Sequence, residues 1–315
     1  MIINKNKSGV KVFAPASVAN VAVGYDILGF ALEKPGDEII AKFSKTDGLK
    51  ITKITGAKGK LPYEVLKNTA GFAAQKMLDF LGHSDLGIDL EIHKKMPFGS
   101  GLGSSAASAA AGVMAVNELL GRPLTKRKIL PFAVLGEQIA DGAYHADNVG
   151  PSLLGGMQLI RSNKNLDIHR LHVPKGLYAT VVYPHIKVLT KDSRDILNDQ
   201  TSLQQCIQQT GNIAGFIVGL YNTDFDLIER SLQDVIIEPQ RAQLIPHFYA
   251  VKQAALKAGA LGCSISGAGP SIFALSANSL KAEQVGEAMA RIFTDNKIKN
   301  ELFISTINQQ GAVLL

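Results

Sequence analysis

One short segment concentrates the chemistry of this chain: Pro97-Phe98-Gly99-Ser100-Gly101-Leu102-Gly103-Ser104-Ser105. Glycine at alternate positions removes the side chains that would hold a ligand off the backbone. Ala106 to Leu120 follows directly and is rich in good helix formers, so the loop opens a helix. The first N–H groups of a helix have no intrahelical partner, and together with the positive end of the helix dipole they attract anions. Ser100, Ser104 and Ser105 add hydroxyls suited to phosphate oxygens or to a magnesium ion, which takes oxygen ligands and keeps several waters. Two better-known phosphate loops do not fit. No lysine follows Gly103, as Gly-x-x-x-x-Gly-Lys-Ser/Thr requires, and Gly99 to Ser104 does not match Gly-x-Gly-x-x-Gly. A tight structural turn is the competing account, and the serine pair and the helix that follows weigh against it.

The elements that must position this loop are partly legible. Ile88, Leu90 and Ile92 alternate with Asp89, Glu91 and His93, the signature of a half-buried strand over 87–94. The order is therefore strand, glycine loop, helix, with Gly121 and Pro123 as the helix stop. Val10 and Val12 predict a short strand ending at Ala14-Pro15, and Glu38 to Ser44 predicts another. Asn68 to Leu81 reads as a helix stopped by Gly82, and Thr125 can cap a helix that carries Glu137. In the second half, helices are expected over Ser202 to Tyr221, Pro246 to Ala258 and Leu280 to Phe293. Strands are expected over Leu177 to Tyr183, Leu261 to Ile265, Ser271 to Leu275 and Leu302 to Ile307. A boundary is expected in the polar stretch near Ser162 to Asp167, giving two α+β domains, 1–165 and 166–315, that meet across a cleft.

Bulk properties narrow the function classes. With 315 residues and 19% charged residues, the composition is that of a globular protein of more than one domain. The longest nearly apolar run, Ala106 to Val116, is too short to span a bilayer, and Met1 to Ser8 is polar and basic rather than signal-like. Cys206 and Cys263 lack metal-ligand spacing, which fits a reducing, cytoplasmic setting. The net charge of +6 is spread without a basic stripe, so nucleic-acid binding is not expected.

Pro97 to Ala107 (PFGSGLGSSAA) resembles the nucleotide loop of the GHMP kinases. Ala14 to Leu32 (APASVANVAVGYDILGFAL) and Gly262 to Leu275 (GCSISGAGPSIFAL) resemble that superfamily's N-terminal motif and C-terminal glycine loop, in the same order along the chain. Within the superfamily the likeness is greatest to the homoserine kinases. It rests on Ala19-Asn20 with Gly24-Tyr25-Asp26, on His145 to Val149 followed by Pro151-Ser152, and on Arg194 and Arg241. Tyr25 stands where phenylalanine is usual and Gly150 where alanine is usual. The resemblance implies the two-domain α+β GHMP kinase fold. Its N-terminal domain is similar to ribosomal protein S5 domain 2, its C-terminal domain is ferredoxin-like, and the active site lies in the cleft between them. It also implies ATP and magnesium as co-substrate and cofactor, L-homoserine as acceptor in threonine biosynthesis, and a homodimer. Another GHMP small-molecule kinase, of the mevalonate or shikimate type, or a non-catalytic nucleotide-binding regulator, is the alternative.

The resemblance also implies roles. Pro97 to Ala107 bind ATP: Pro97, Phe98, Gly99, Ser100, Gly101, Leu102, Gly103, Ser104, Ser105, Ala106 and Ala107. Asn68 is implied to touch the adenine, although its type and place also suit a helix cap. Glu137 is implied to hold magnesium with Ser105, although a lone helical glutamate is usually a solvated one. Arg194 and Arg241 are implied to bind the substrate carboxylate, which a planar guanidinium takes bidentately. Asp26 and Asn20 are implied to bind its ammonium; by type alone they suit turns. Asn148 is implied to orient the attacking hydroxyl, since an amide cannot remove its proton at neutral pH. His145 and Asp147 are expected to shape the loop that presents Asn148, and the Ser266 to Ser271 loop to pack near the substrate or the glycine loop.

Overall fold

The structure is a computed structural model that describes residues 8–315, with backbone alone at 141, so all but the last residue of the Met1 to Ser8 segment lies outside it. Two sheets organise the chain. The first contains β1 (Val10–Ala19), β2 (Leu28–Phe43), β3 (Leu49–Thr55), β4 (Ile88–His93), β5 (Met157–Ser162) and β6 (Asp167–Leu171). The C-terminal β11 (Val313–Leu314) returns to its edge beside β1. The second sheet contains β7 (Tyr178–Pro184), β8 (Gly262–Ile265), β9 (Ile272–Ser276) and β10 (Asn300–Thr306) in the order β10-β7-β9-β8, the ferredoxin-like arrangement.

The expected strand at Val10 does not stop at Pro15. It runs on to Ala19 because the β1–β2 register shifts between Pro15 and Ser17, which places the proline at an irregularity where its missing N–H is tolerated. The same irregularity explains why β2 reads in sequence as only its second half. Pro35-Gly36 looks like a break, but Gly36 pairs with Pro15 and the strand continues through it.

Helices α1 (Thr69–Phe80), α2 (Ser104–Leu119), α3 (Lys126–Asp141) and α4 (Val149–Leu154) belong to the first half, and α2 packs on β1 and β2 as well as on the other three. Every residue of α2 from Ala106 to Leu119 is buried, as expected of a helix that is small and apolar all round. Its small side chains permit close approach: a Cβ on Gly112 would lie 2.7 Å from the carbonyl oxygen of Ala70. Gly136 of α3 is equally confined, since its Cβ would lie 2.6 Å from the Thr69 carbonyl oxygen of α1 and 3.2 Å from the Ala109 Cβ of α2. Alanine and glycine thus bring α3 close enough to α2 for a side chain of one to reach the first turn of the other.

The second half adds α5 (Thr190–Asp195), α6 (Leu203–Asn222), α7 (Phe225–Ser231), α8 (Glu238–Arg241), α9 (Phe248–Lys257) and α10 (Ser279–Asp295). Phe30 of β2 meets Phe273 of β9 edge to face at 6.0 Å, so the sheets share one core rather than resting on a polar seam. No helix among the described residues is long and apolar enough to cross a membrane.

Candidate active site

The glycine loop joins β4 to α2. Gly99, Gly101 and Gly103 have φ of 68°, 78° and 65°, in the left-handed region open to glycine, with ordinary residues between them. Alternation of this kind turns successive N–H groups toward one concavity, an anion-binding nest at the start of a long helix. Contacts account for two of the glycines as well. A Cβ on Gly101 would lie 2.6 Å from the carbonyl oxygens of both Ser266 and Gly269. A Cβ on Gly103 would lie 2.3 Å from Ser17 Oγ and 2.7 Å from Asn148 Oδ1.

Those neighbours build the rest of the site. The Ser266 to Ser271 loop packs directly on the glycine loop: Ser266 Oγ donates to the Gly101 carbonyl at 2.8 Å, and Ser271 N–H donates to that of Ser100 at 3.2 Å. Asn148 immediately precedes the short α4 without capping it through its side chain, and its Oδ1 accepts from Ser17 Oγ at 2.9 Å. Ser17, fully buried on β1, was not anticipated from sequence; it fixes the Asn148 amide so that the NH₂ end is left for a ligand. Ser100 Oγ is buried without a protein partner in the wall of the cleft, a polar group that calls for an acceptor.

Glu137 is only 5% exposed. Its Oε1 accepts from Ser105 Oγ at 2.7 Å, joining the middle of α3 to the first turn of α2. A hydroxyl beside a carboxylate, next to the glycine loop, is an all-oxygen donor set, and it fits a hard cation that completes its shell with water and other oxygen ligands. Asp26, His145 and Asp147 also bring ligand atoms within 4.8 Å of one another, but their charges are already answered. His145 Nδ1 is 2.6 Å from Asp147 and its Nε2 is 2.8 Å from Arg194 Nη2. Since a guanidinium only donates, Nε2 accepts, and the imidazole proton sits on Nδ1, facing Asp147.

The far side of the cleft is cationic. Arg194 on α5 bonds Asp26 through both terminal nitrogens at 3.2 Å. Arg241 on α8 is 4% exposed and donates to the carbonyls of Ser193 (2.7 Å) and Gly267 (3.3 Å). Tyr25 lies beneath both guanidinium groups, 5.9 and 4.7 Å from its ring centroid, and its hydroxyl accepts from each at 3.1 Å. Burial, and then the Asp26 charge, push the phenol up, so it stays neutral between them. Asn20 donates to the Gly267 carbonyl at 2.8 Å and accepts from Asp26 N–H at 3.1 Å, so it ties the two sides together.

One cleft of about 520 Å³ therefore collects most of the residues singled out from sequence: Phe98 to Gly101, Gly103 to Ser105, Glu137, Asn148, Asn20, Asp26, Arg194 and Arg241. Leu102, Ala106 and Ala107 are fully buried beneath the loop and, with Pro97, lie outside its lining. Asn68 also lies outside that lining. Its Oδ1 accepts from the N–H groups of Ala70 (3.1 Å) and Gly71 (3.4 Å), and its Nδ2 donates to the Pro62 carbonyl, so the whole side chain serves as the cap of α1. Thr69 and Leu61 line the wall there instead.

Lys94 was missed. It is buried and ion-paired to the fully buried Asp37, and it donates to the Ser104 carbonyl and to Ser108 Oγ, both at 2.7 Å. Asp37 also accepts from Lys95 N–H at 2.9 Å, so the pair binds β2, the end of β4 and the start of α2 into one knot under the loop. Burial pulls the ammonium pKa down, and Asp37 opposes that pull. The signal was present: the inward positions 88, 90 and 92 continue to 94. Lys94→Met strands the Asp37 carboxylate in the core, and urea denaturation should show a loss of about 3–5 kcal/mol. Adding Asp37→Asn should restore much of it; a single variant as stable as the parent would contradict this role.

Known proteins resemble the chain along its whole length. Residues 65–156 match the GHMP kinases N terminal domain and residues 216–295 the GHMP kinases C terminal domain. The chain is 46% identical to the homoserine kinase of Chlorobium phaeobacteroides (strain BS1), over 96% of this chain and 98% of that one. The crystal structure of homoserine kinase from Cytophaga hutchinsonii superposes with a TM-score of 0.96 at 50% identity, covering both chains completely. L. major mevalonate kinase in complex with R-mevalonate shares the fold, at a TM-score of 0.75 and 18% identity over 97% of this chain and 99% of that one. With likeness of this extent along the whole sequence, this chain belongs to the homoserine kinase family of the GHMP kinases.

Proposed function

We propose that the chain transfers the γ-phosphoryl group of ATP to the side-chain hydroxyl of L-homoserine, giving O-phospho-L-homoserine for threonine synthesis. One observation carries the reading. A phosphate-binding nest with the Ser105–Glu137 pair and an amino-acid-binding set, Asp26 with Arg194 and Arg241, open into the same cleft, and Asn148 lies against Gly103. Residues 1–165 carry the nucleotide side and Asp26, and residues 166–315 carry the two arginines.

The N–H groups of the nest hold the triphosphate and spread its charge. Ser105 and Glu137 are the residues that hold magnesium, which neutralises phosphate charge when bound. Asn20 and Asp26 hold the substrate ammonium, and Arg194 and Arg241 its carboxylate. The amide NH₂ of Asn148, aimed by Ser17, holds the acceptor oxygen. Among the described residues, each carboxylate on the cleft wall is already engaged: Asp26 with Arg194, Glu137 with Ser105, Asp147 with His145. No strong base stands ready among them, and the loose transition state of phosphoryl transfer needs little proton removal in advance. The alcohol oxygen then attacks the γ-phosphorus in line, the bond from that phosphorus to the β–γ bridging oxygen breaks, ADP leaves, and the hydroxyl proton passes to a phosphoryl oxygen. Position and charge neutralisation supply the rate.

A cytoplasmic homodimer belongs to the same reading. The family resemblance supports it, and the unbridged Cys206 and Cys263 suit a reducing compartment.

A substrate panel tests the assignment. Phosphate transfer to L-homoserine should exceed transfer to mevalonate or shikimate by about a thousandfold in kcat/KM, the discrimination expected when buried polar groups would otherwise lose their partners. Equal rates would overturn it, and tight ATP binding with no acceptor at all would favour a regulator.

A further inference from the structure

The hydrogen bonds of the two arginines differ in a way that bears on selectivity. Nη1 of Arg194 donates to Tyr25 Oη (3.1 Å) and Asp26 Oδ2 (3.2 Å); Nη2 donates to Asp26 Oδ1 (3.2 Å) and His145 Nε2 (2.8 Å). These four contacts use all four N–H groups on the terminal nitrogens. Arg241 spends one N–H on each of Ser193, Gly267 and Tyr25, which leaves one on each terminal nitrogen. A carboxylate can therefore join Arg241 at once, but it reaches the terminal nitrogens of Arg194 only by replacing a partner. The partner of matching chemistry is Asp26, itself a carboxylate held through both oxygens.

Resting on the reading above, we propose that a substrate amino acid enters this site by exchanging partners with the Asp26–Arg194 ion pair. Arg194 passes from Asp26 to the substrate carboxylate, and Asp26 passes from Arg194 to the substrate ammonium. The pair is about 30% exposed on each side, shielded enough that a stranded charge is costly. A zwitterion replaces both halves of the broken pair. An acid without the ammonium strands Asp26, and an amino alcohol without the carboxylate strands Arg194. Tyr25 is the positioning residue of the exchange: its neutral hydroxyl accepts from both guanidinium groups, so it holds Arg194 in place while Asp26 lets go. His145 Nε2 gives the second hold. Selection by this device acts on the two charges at the α-carbon and adds to any selection by side-chain shape.

The test uses L-homoserine, (S)-2,4-dihydroxybutanoate, which carries a hydroxyl where homoserine has its ammonium, and L-homoserinol, which lacks the carboxylate. With the wild-type enzyme both analogues should fall at least about a hundredfold below homoserine in kcat/KM, the scale of one lost charge-assisted contact. Asp26→Asn is the decisive variant, and it should fold: Asp26 has φ of 59°, a conformation that asparagine also accepts. In it, kcat/KM for homoserine should drop about 10- to 100-fold, while that for dihydroxybutanoate holds or rises, because Arg194 no longer leaves an anion behind. Equal loss for both acceptors in Asp26→Asn, or wild-type use of dihydroxybutanoate on a par with homoserine, would overturn the exchange and leave the kinase assignment standing. Failure of the wild type to phosphorylate homoserine would instead overturn the parent reading, and the exchange with it.

Discussion

Glu137→Gln should lower turnover about a thousandfold and raise the magnesium concentration needed for half-maximal activity by tenfold or more. The substitution keeps the size of the side chain and an oxygen that can accept from Ser105 Oγ, the 2.7 Å contact joining α2 to α3, so the fold should survive. What it removes is the charge. A carboxylate at 5% exposure is poorly screened, and its attraction for a divalent cation is correspondingly strong. A bound metal contributes several kcal/mol to charge neutralisation in phosphoryl transfer, which sets the scale of the loss. Initial rates across a magnesium titration, with nucleotide binding measured alongside, check the prediction. An unchanged magnesium requirement would remove Glu137 from the metal site.

Arg241→Leu should raise the KM for the amino acid about a hundredfold or more and leave the KM for ATP within about threefold. Truncating a buried, hydrogen-bonded charge at a binding site typically costs about 2–5 kcal/mol. The change also takes a donor from the Ser193 carbonyl, so a lower Tm is expected, in keeping with about 1–3 kcal/mol for an orphaned buried acceptor. Arg241→Lys separates the two effects: it restores the charge but not the fork that bonds Ser193, Gly267 and Tyr25 together. Its KM for the amino acid should therefore stay well above that of the parent. Steady-state kinetics with each substrate varied provide the check. Matching losses for both substrates would signify general damage to the fold and would contradict a dedicated carboxylate site.

How much of this was legible in sequence depended on how local the signal was. The glycine loop announced itself because strand, loop and helix are contiguous and each carries its own pattern. Period-two alternation located β4, and small residues located α2. Proline misled at 15 and 35, because sequence shows the missing N–H but not the register shift that accommodates it. Burial of Glu137 was not legible, since it follows from how closely α3 approaches α2, which Gly136 permits through a tertiary contact. Arg194 and Arg241 sit on helices of six and four residues, too short for periodicity to report which face they share. Only the family resemblance singled them out. Asn68 shows a local signal read directly: capping was legible from its type and place, and its side chain accepts from the N–H groups of Ala70 and Gly71. Lys94 was hidden by its chemistry, because a lysine beside a second lysine reads as solvated until the Asp37 carboxylate is seen beneath it.

A crystal structure with magnesium, a non-hydrolysable ATP analogue and L-homoserine tests the central claim most directly. The account predicts the β- and γ-phosphates on the backbone N–H groups from Gly99 to Ser105. It places the homoserine hydroxyl beside Asn148, roughly 3–3.5 Å from the γ-phosphorus and in line with the bond to be broken. A polyphosphate lodged away from Gly101 and Gly103, with that loop untouched, would contradict it.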